Sequence, residues 1–327
     1  MKDYSFFGTC ANDTFHTMKV IENLASQTIP PKEVILVDSG KIDKYKKLEV
    51  FFKTTKIKFI YIFKDLPRIE ALNLAIDKVS SNFCMRYDTR TRFSSNYAEE
   101  ALKLLNNEII KSPFVGGVPD VAQENSTFMA RICSQIMSRS YVFFYPRHRQ
   151  NGYSGVASSI YLGCFKSDII KKIKYRSHPS LISEDSLLAA DYASNNHKLY
   201  LSSLLKLQYV SRSSFWNTLR LFNTYGYCRF NTILFSKKIH SKKRYLLILL
   251  IFLFFIVISK GFLQTVLLFP LIILFFDICG EIFNNKIERN FIYPFLSLVC
   301  QFSWIAGFCW AIVTCLKVEK TKTNFIQ

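Results

Sequence analysis

The sequence has 327 residues, half of them hydrophobic, and a formal net charge of +19 at pH 7. No segment combines basic and aromatic residues as nucleic-acid-binding modules do, so the charge indicates a lysine-rich surface or anionic partners such as phosphorylated substrates and phospholipid, without nucleic acid. The nine cysteines are scattered and never spaced as Cys-x-x-Cys, which argues against a disulfide framework or a zinc site and predicts a reduced compartment.

The first ninety residues alternate between strand and helix patterns. Strands are predicted at Tyr4–Thr9, Glu33–Asp38, Lys58–Phe63 and Phe83–Tyr87, and helices at Thr17–Gln27 and Arg68–Val79. A continuous apolar strand is typical of a parallel sheet that is buried on both faces. We therefore predict an α/β fold with a Rossmann-like, doubly wound sheet. Ligands of such sheets bind at the carboxyl ends of the strands, where Asp38 and Asp88 lie.

The middle of the chain is less regular. Residues Ser112 to Gly163 contain several glycines, and we expect flexible loops there. Further helices are predicted at Glu184–Tyr192 and Ser211–Phe235. The second of these mixes aromatic residues with arginines, a pattern that suits either a helix at a membrane surface or one packed on the domain.

The last third of the chain is strongly apolar. A basic cluster over residues 237–244 precedes apolar segments at Tyr245–Ser259, Phe262–Cys279 and Phe291–Leu316. The third segment is long enough to span a bilayer, the second is near the lower limit and the first is short. We predict an α/β domain over residues 1–210, an interfacial helix with a basic linker over 211–244, a membrane anchor of two to three helices over 245–316, and a polar tail over 317–327. From the basic cluster and from an N-terminal segment without a signal-peptide pattern, we expect the α/β domain to lie in the cytoplasm, on an inner membrane that the chain crosses more than once.

Several motifs of the first 230 residues occur in the order and spacing of a known family. They are the string from Ser26 to Gly40 that ends in Val37-Asp38-Ser39-Gly40; Arg68 with Ala71, Leu72 and Asn73; Arg86-Tyr87-Asp88-Thr89-Arg90; Gly116-Gly117; Tyr161-Leu162-Gly163; Ser183-Glu184-Asp185; and Tyr225-Gly226. Together they resemble the family 2 glycosyltransferases of the GT-A fold. The later motifs are similar to the branch of succinoglycan-type exopolysaccharide transferases, which carry C-terminal membrane helices.

The resemblance implies a site for a nucleotide-sugar, with a UDP-linked donor as the first expectation. Asp38 would accept hydrogen bonds from the base or ribose, and Arg68 would pair with the diphosphate. Thr9, Ala11 and Asn12 would line the same crevice. For Asp38 a turn or capping carboxylate is the structural alternative, and for Arg68 it is a surface charge.

A divalent cation, Mn²⁺ or Mg²⁺, is implied at Asp88, the first position of an Asp-x-Asp motif. Arg90 stands at the second position, and a guanidinium has no lone pair for a metal. Either Asp88 binds the metal with water and a further ligand such as His148, or Arg90 itself offsets phosphate charge. A salt bridge from Arg90 to a neighbouring carboxylate is the structural alternative.

The acidic pair Glu184-Asp185 matches the catalytic position of inverting members. Asp185 would be the general base that deprotonates an acceptor hydroxyl, and Glu184 would orient it or hold the acceptor. An acidic pair stabilising a helix N-terminus is the structural alternative.

The acceptor side is implied at Asn223, Tyr225 and Arg229, for which helix packing is equally consistent with the sequence. The leading hypothesis is a membrane-anchored, inverting glycosyltransferase that acts on a lipid-linked saccharide in cell-surface polysaccharide biosynthesis. The alternative is a non-catalytic scaffold with the same fold in a polysaccharide assembly complex.

Overall fold

The computed structural model describes residues 3–138, 147–150, 152–177, 182–236 and 292–323. The chain divides into two compact units. The first comprises Met1–Ala122, Arg147–Ser177 and Glu184–Val210, and the second comprises Gln123–Pro146, His178–Ser183 and Ser211–Gln327. The apolar segments Tyr245–Ser259 and Phe262–Cys279 and the basic cluster at 237–244 lie outside the described residues.

The first unit is built from eleven described strands and six described helices. In chain order they are β1 (Tyr4–Cys10), α1 (Thr14–Ala25), β2 (Glu33–Asp38), α2 (Tyr45–Lys53), β3 (Lys58–Phe63), α3 (Arg68–Lys78), β4 (Phe83–Asp88), β5 (Thr91–Phe93), α4 (Tyr97–Leu105), β6 (Phe114–Gly116), β7 (Pro119–Ala122), β8 (Gly155–Val156), β9 (Cys164–Lys166), α6 (Ser167–Ile173), α7 (Glu184–Ser194), β10 (Leu199–Leu201) and β11 (Leu207–Val210). The second unit contains the helices α5 (Phe128–Ser138), α8 (Phe215–Ser236) and α9 (Ile292–Thr323), numbered by their place in the whole chain.

The predicted α/β sheet is confirmed. Eight strands pair in the order β3-β2-β1-β4-β9-β6-β10-β8, and β3, β2, β1 and β4 run parallel. The antiparallel strand β9 then joins β4 to β6, so the sheet is mixed. Strands β5, β11 and β7 form a separate three-stranded sheet.

Hydrophobic layers cover both faces of the large sheet, which explains the unbroken apolar strands. Successive residues of a strand point to opposite faces. In β1, Phe6 packs in the core beneath α1, α2 and α4, whereas Phe7 packs in the core beneath α3, α6 and α7. In β2, Val34 and Ile35 divide in the same way.

The region from Ser112 to Gly163 is more regular than the loops expected there. It contains β6, β7, helix α5 and β8 in its described part. Its glycines include sites of close packing, which the sequence pattern does not distinguish from loop glycines. A Cβ at Gly117 would overlap the backbone carbonyl oxygen of Leu205. Helix α2 is a further element that the predictions omitted.

In the second unit, α8 packs lengthwise against α9, with α5 beside both. Asn223 of α8 donates from Nδ2 to the carbonyl oxygen of Ser303, 3.1 Å away, and Ser303 donates from Oγ to the carbonyl oxygen of Leu219 at 2.9 Å. Gly226 of α8 and Gly307 of α9 let the two backbones meet, because a Cβ on either glycine would overlap a carbonyl oxygen of the other helix. Small residues at such crossings are typical of tightly packed helix pairs, in membranes above all.

One helix in the described part of the chain is long and apolar enough to cross a membrane, over Phe295–Cys315 of α9. Its exposed positions include large apolar side chains, among them Phe295, Trp310 and Val313. The described residues thus contain one candidate span and do not support the multi-pass arrangement that was predicted.

Candidate functional site

The carboxyl ends of three neighbouring strands bring predicted residues together. In the register of the sheet, Thr9 of β1 lies opposite Asp88 of β4, and Cys10 of β1 lies opposite Asp38 of β2. The chain order reverses here, because β2 and β3 extend to one side of β1 while β4 lies on the other. This switch point is the usual ligand site of an open α/β sheet.

Arg68 connects two carboxylates at this edge. It is the first residue of α3, and its Nη2 donates to Asp88 Oδ2 at 3.0 Å while its Nε donates to Glu184 Oε1 at 3.1 Å. Asp88 is the last residue of β4, and Glu184 is the first residue of α7. Half of the Arg68 side chain, 51%, is exposed to solvent.

A second arginine, Arg86, lies beneath the acidic pair. It is two residues before Asp88 on β4 and therefore points to the same face of the sheet. Its side chain is 1% exposed. Nη2 donates to Glu184 Oε1 at 3.0 Å, and Nη1 donates to Asp185 Oδ1 at 2.5 Å and to the Tyr175 hydroxyl at 3.0 Å. Arg86 thus fixes both carboxylates of the pair.

Tyr175 is in turn held by α3. Asn73 donates from Nδ2 to the Tyr175 carbonyl oxygen at 2.8 Å and accepts from the Tyr175 backbone N–H at 2.9 Å. The Tyr175 ring also lies 5.1 Å from the Arg86 guanidinium, in cation–π geometry. The motif residue Asn73 therefore supports the site indirectly, through Tyr175 and Arg86.

The environment separates the pKa values of the acidic pair. Burial raises the pKa of Asp185 to about 6, Arg86 opposes this increase, and Glu184 adds to it. For Glu184, burial acts in the opposite direction to Arg86 and Arg68, and the two arginines prevail, so its pKa is lowered. The pKa of Asp88 is lowered as well, because Arg68 and Arg86 outweigh its burial. Two neighbouring carboxyls with divergent pKa values are typical of sites that perform acid–base chemistry.

The position of the acidic pair at the start of α7 explains part of its electrostatics without reference to a function. Glu184 and Asp185 occupy the first turn of the helix, where the helix dipole stabilises negative charge. That alternative does not explain why two arginines from other elements converge on the pair. Asp185 also keeps 29% of its side chain exposed, which leaves it accessible to a substrate.

Asp38 lies in a different environment from the one predicted for a base or ribose ligand. Its side chain is fully buried, and Lys44 Nζ donates to both of its oxygens at 3.0 and 2.8 Å. The Tyr61 hydroxyl donates to Oδ2 at 2.7 Å, and the Gly40 N–H donates to Oδ1 at 2.8 Å. A nucleotide would have to displace one of these partners before it bonded to the carboxylate.

The residues predicted to line the same crevice surround this buried pair. Thr9 is near the end of β1, and the Ala11 carbonyl oxygen accepts from Lys44 Nζ at 2.5 Å. Asn12 accepts the Lys41 backbone N–H at 3.0 Å. They remain candidates for donor binding.

Arg90 forms an ion pair with Asp13, with 3.6 Å between Nη2 and Oδ2. This matches the structural alternative considered for it. The backbone carbonyl of Arg90 accepts the Val210 N–H at 2.8 Å, which ties the residue to β11.

The described residues do not fit a divalent cation as they are arranged. Within the described ranges, no group of three ligand-type side chains converges on one point. Asp88 and Glu184, the two nearest candidates, share the guanidinium of Arg68. The side chain of His148, the further ligand considered, lies outside those that the structure describes. The metal therefore stays a prediction.

The residues predicted for the acceptor side lie on α8 of the second unit. Asn223 bonds to α9, as described above, and the ring of Tyr225 lies 6.2 Å from that of Phe222. Arg229 follows Tyr225 by about one turn of α8, and its side chain is half-buried. For Asn223 the structure shows helix packing, the alternative that the sequence left open.

Three residues that organise the site had no predicted role: Arg86, Tyr175 and Lys44. Arg86 had a signal in the sequence, because it is a charged residue inside an otherwise apolar strand, two positions before a predicted site carboxylate. Lys44 and Tyr175 had none, since their contacts depend on how distant segments pack.

No protein-family model matches the sequence, and no curated protein matches it. Among solved structures, the chain is similar to S. aureus TarS 1-349, with a TM-score of 0.47 and 12% identity over 68% of this chain and 65% of that one. The same fragment in complex with UDP-GlcNAc gives a TM-score of 0.47 and 13% identity, with 68% and 66% covered. The match covers 39% of a longer TarS chain. This chain thus spans less than two thirds of the TarS structures, and a likeness of this size assigns neither a family nor an activity.

Proposed function

We propose that this protein is an inverting glycosyltransferase that moves a sugar from a nucleotide-sugar to an acceptor hydroxyl. The observation that carries the proposal is the acidic pair Glu184-Asp185, which lies beside Asp88 and two arginines at the switch point of a parallel sheet. Of the pair, Asp185 has a raised pKa and a partly exposed side chain, whereas the pKa of Glu184 is lowered. The family resemblance of the motifs that contain these residues supports the same reaction.

Asp185 is the general base in this proposal. An acceptor hydroxyl must lose its proton as its oxygen attacks the anomeric carbon, and a carboxylate with a pKa near the working pH accepts that proton efficiently. Attack from the face opposite the departing nucleotide inverts the anomeric configuration. Arg86 is a positioning residue, because its bond to Oδ1 fixes the orientation of the Asp185 carboxylate.

The donor diphosphate is assigned to Arg68. Its planar guanidinium can form two parallel bonds to phosphate oxygens, and it is accessible at the edge of the sheet. The nucleoside is assigned to the neighbouring strand ends, with Thr9, Ala11, Asn12 and Asp38. We take a UDP-linked sugar as the first donor to test.

The acceptor is proposed to be a lipid-linked saccharide of cell-surface polysaccharide biosynthesis. The support is the apolar span Phe295–Cys315, which would keep the enzyme at the inner membrane. A tethered enzyme meets a membrane-bound substrate at a higher effective concentration. Asn223, Tyr225 and Arg229 are the proposed acceptor-side residues, with the α/β unit in the cytoplasm.

The test is turnover of nucleotide-sugars by the purified full chain in detergent. The panel contains UDP-, GDP- and dTDP-sugars, including the UDP-GlcNAc named for the similar TarS structure, together with membrane lipid extract as acceptor. We expect transfer from one donor class, with inverted configuration at the anomeric carbon when the product is examined by NMR.

Asp185→Asn is expected to lower transfer by about 10²–10⁴-fold, the usual contribution of a general base. Asp191→Asn is the matched control, because Asp191 lies on the same helix but pairs with Arg176 at 2.8 Å. We expect the control to keep its activity. Absence of transfer with every donor, by a protein whose circular dichroism is intact, would contradict the proposal. Equal losses in the two variants would remove Asp185 from its role.

A further inference from the structure

The two oxygens that Arg68 joins come from distant parts of the chain. Asp88 Oδ2 is at the end of β4 and Glu184 Oε1 is at the start of α7. Each accepts a charge-assisted hydrogen bond from the Arg68 guanidinium, at 3.0 and 3.1 Å. A divalent ion bound to both oxygens would have to compete with the Arg68 guanidinium, which already donates a hydrogen bond to each of them.

We propose that Arg68 is the resident cation of this site, so that the wild-type protein holds its donor diphosphate without a divalent metal. Removing Arg68 would then free Asp88, leave Glu184 with Arg86 as its remaining guanidinium partner, and allow the two carboxylates to bind a metal. The catalytic part of this inference rests on the proposed function, whereas the metal-binding part can be tested without turnover.

The charges of the cluster support the assignment. Three carboxylates, Asp88, Glu184 and Asp185, face two guanidiniums, Arg68 and Arg86. The arginines therefore nearly balance the acids before any ligand arrives. A divalent ion added to this set would reverse the sign of the local charge, and it would have to compete with guanidiniums that stay protonated. Asp88 raises the pKa of Arg68 further.

Arg90, at the second position of the predicted metal motif, does not supply the positive charge beside Asp88. Arg90 is oriented towards Asp13, and its backbone is bonded to β11. Arg68 is thus the arginine in direct contact with Asp88, the carboxylate of the predicted metal motif.

The exposure of Arg68 suits a change of partner. When a diphosphate binds, its oxygens can take the two N–H groups that now bond to Asp88 and Glu184, because phosphate is a bidentate partner for guanidinium. The carboxylates would then keep their negative charge compensated through Arg86, which is buried and bonded to Glu184.

The deciding experiment measures Mn²⁺ binding to the full chain in detergent, by electron paramagnetic resonance of free Mn²⁺. The proteins compared are wild type, Arg68→Met, Arg68→Lys, Asp88→Asn and the double variant Arg68→Met/Asp88→Asn. Methionine keeps the length of the side chain without its charge, and lysine keeps the charge. We expect Arg68→Met to bind Mn²⁺ at least about tenfold more tightly than wild type. The double variant and Arg68→Lys should bind no more tightly than wild type.

The inference is overturned if wild type binds Mn²⁺ as tightly as Arg68→Met and loses that binding in Asp88→Asn. It is also overturned if Arg68→Met, with normal circular dichroism, gains no binding. If Arg68→Met does not fold, wild type and Asp88→Asn decide: Asp88-dependent Mn²⁺ binding by wild type overturns the inference, and its absence supports it. Where turnover is found, wild-type transfer should resist EDTA. A lack of turnover with every donor would count against the proposed function and leave the Mn²⁺ result standing.

Discussion

Replacing Asp185 by Asn is predicted to stabilise the α/β unit at high pH while it removes the proposed base. Burial raises the pKa of Asp185 to about 6, from 3.8, against the effect of Arg86. A carboxyl with a higher pKa in the folded than in the unfolded state binds its proton more tightly when folded, so its ionisation weakens the fold. The resulting loss of stability is absent well below pH 3.8, grows up to about pH 6 and is complete above it.

The size of this effect follows from the two pKa values. A difference of about two pKa units corresponds to about 3 kcal/mol above pH 6, since each unit is worth about 1.4 kcal/mol. The amide of Asn accepts a weaker bond from Arg86 than the carboxylate does, which offsets part of the gain. We therefore expect Asp185→Asn to raise the free energy of unfolding by about 1–2 kcal/mol at pH 8. For a unit of this size the unfolding midpoint would rise by roughly 2–8 °C.

Far-UV circular dichroism of the purified full chain during heating is the appropriate assay. Tryptophan fluorescence would report on the wrong unit, because Trp216, Trp304 and Trp310 all belong to the second one. We expect Asp185→Asn to melt above wild type at pH 8 and the difference to shrink at pH 4.5. Asp191→Asn, on the same helix, removes an ion pair with Arg176 and should not melt above wild type at pH 8. If Asp185→Asn melts below wild type by the same amount at both pH values, the bond from Arg86 outweighs burial and the raised pKa is refuted.

Three further predictions concern other parts of the chain. Lys44→Met leaves Asp38 buried without its counter-ion and should cost about 3–5 kcal/mol in denaturant unfolding; a cost as small as that of Lys53→Met, which breaks an exposed pair, would contradict this. Gly226→Val places a side chain against a carbonyl of α9 and should lower the free energy of unfolding measured by tryptophan fluorescence by about 1–3 kcal/mol, whereas Thr224→Val on the exposed side of α8 should not. Transfer activity, once a donor is found, should decline below about pH 6 as Asp185 takes up a proton; a rate that stays constant down to pH 5 would exclude this carboxyl as the base.

Local patterns were sufficient for the four neighbouring parallel strands β3, β2, β1 and β4, and they missed the other four strands of the large sheet. The predicted strands at Glu33–Asp38 and Lys58–Phe63 have the bounds found in the structure, and the helix predicted from Arg68 begins there. The run Glu33–Asp38 is buried along its whole length, as a strand inside a parallel sheet is, whereas Lys58–Phe63 is the partly exposed strand at the edge of the sheet. Helix α2 was missed because its nine residues mix charge and aromatic side chains, and its buried face is only two residues wide.

The site was determined by the sequence only in part. The sequence by itself identified Arg68, Asp88, Glu184 and Asp185 as candidates, since strand ends and helix starts of an α/β sheet meet at one edge. It could not show that the Asp38 carboxylate forms a buried ion pair with Lys44. Local spacing carries no information on a contact that depends on how the loop after β2 folds back over the strand ends. The tertiary structure decided which charges pair: Arg86 and Arg68 reach the acidic pair because the ends of β4, α3 and α7 converge, and that convergence holds Glu184 ionised and gives Asp185 its raised pKa.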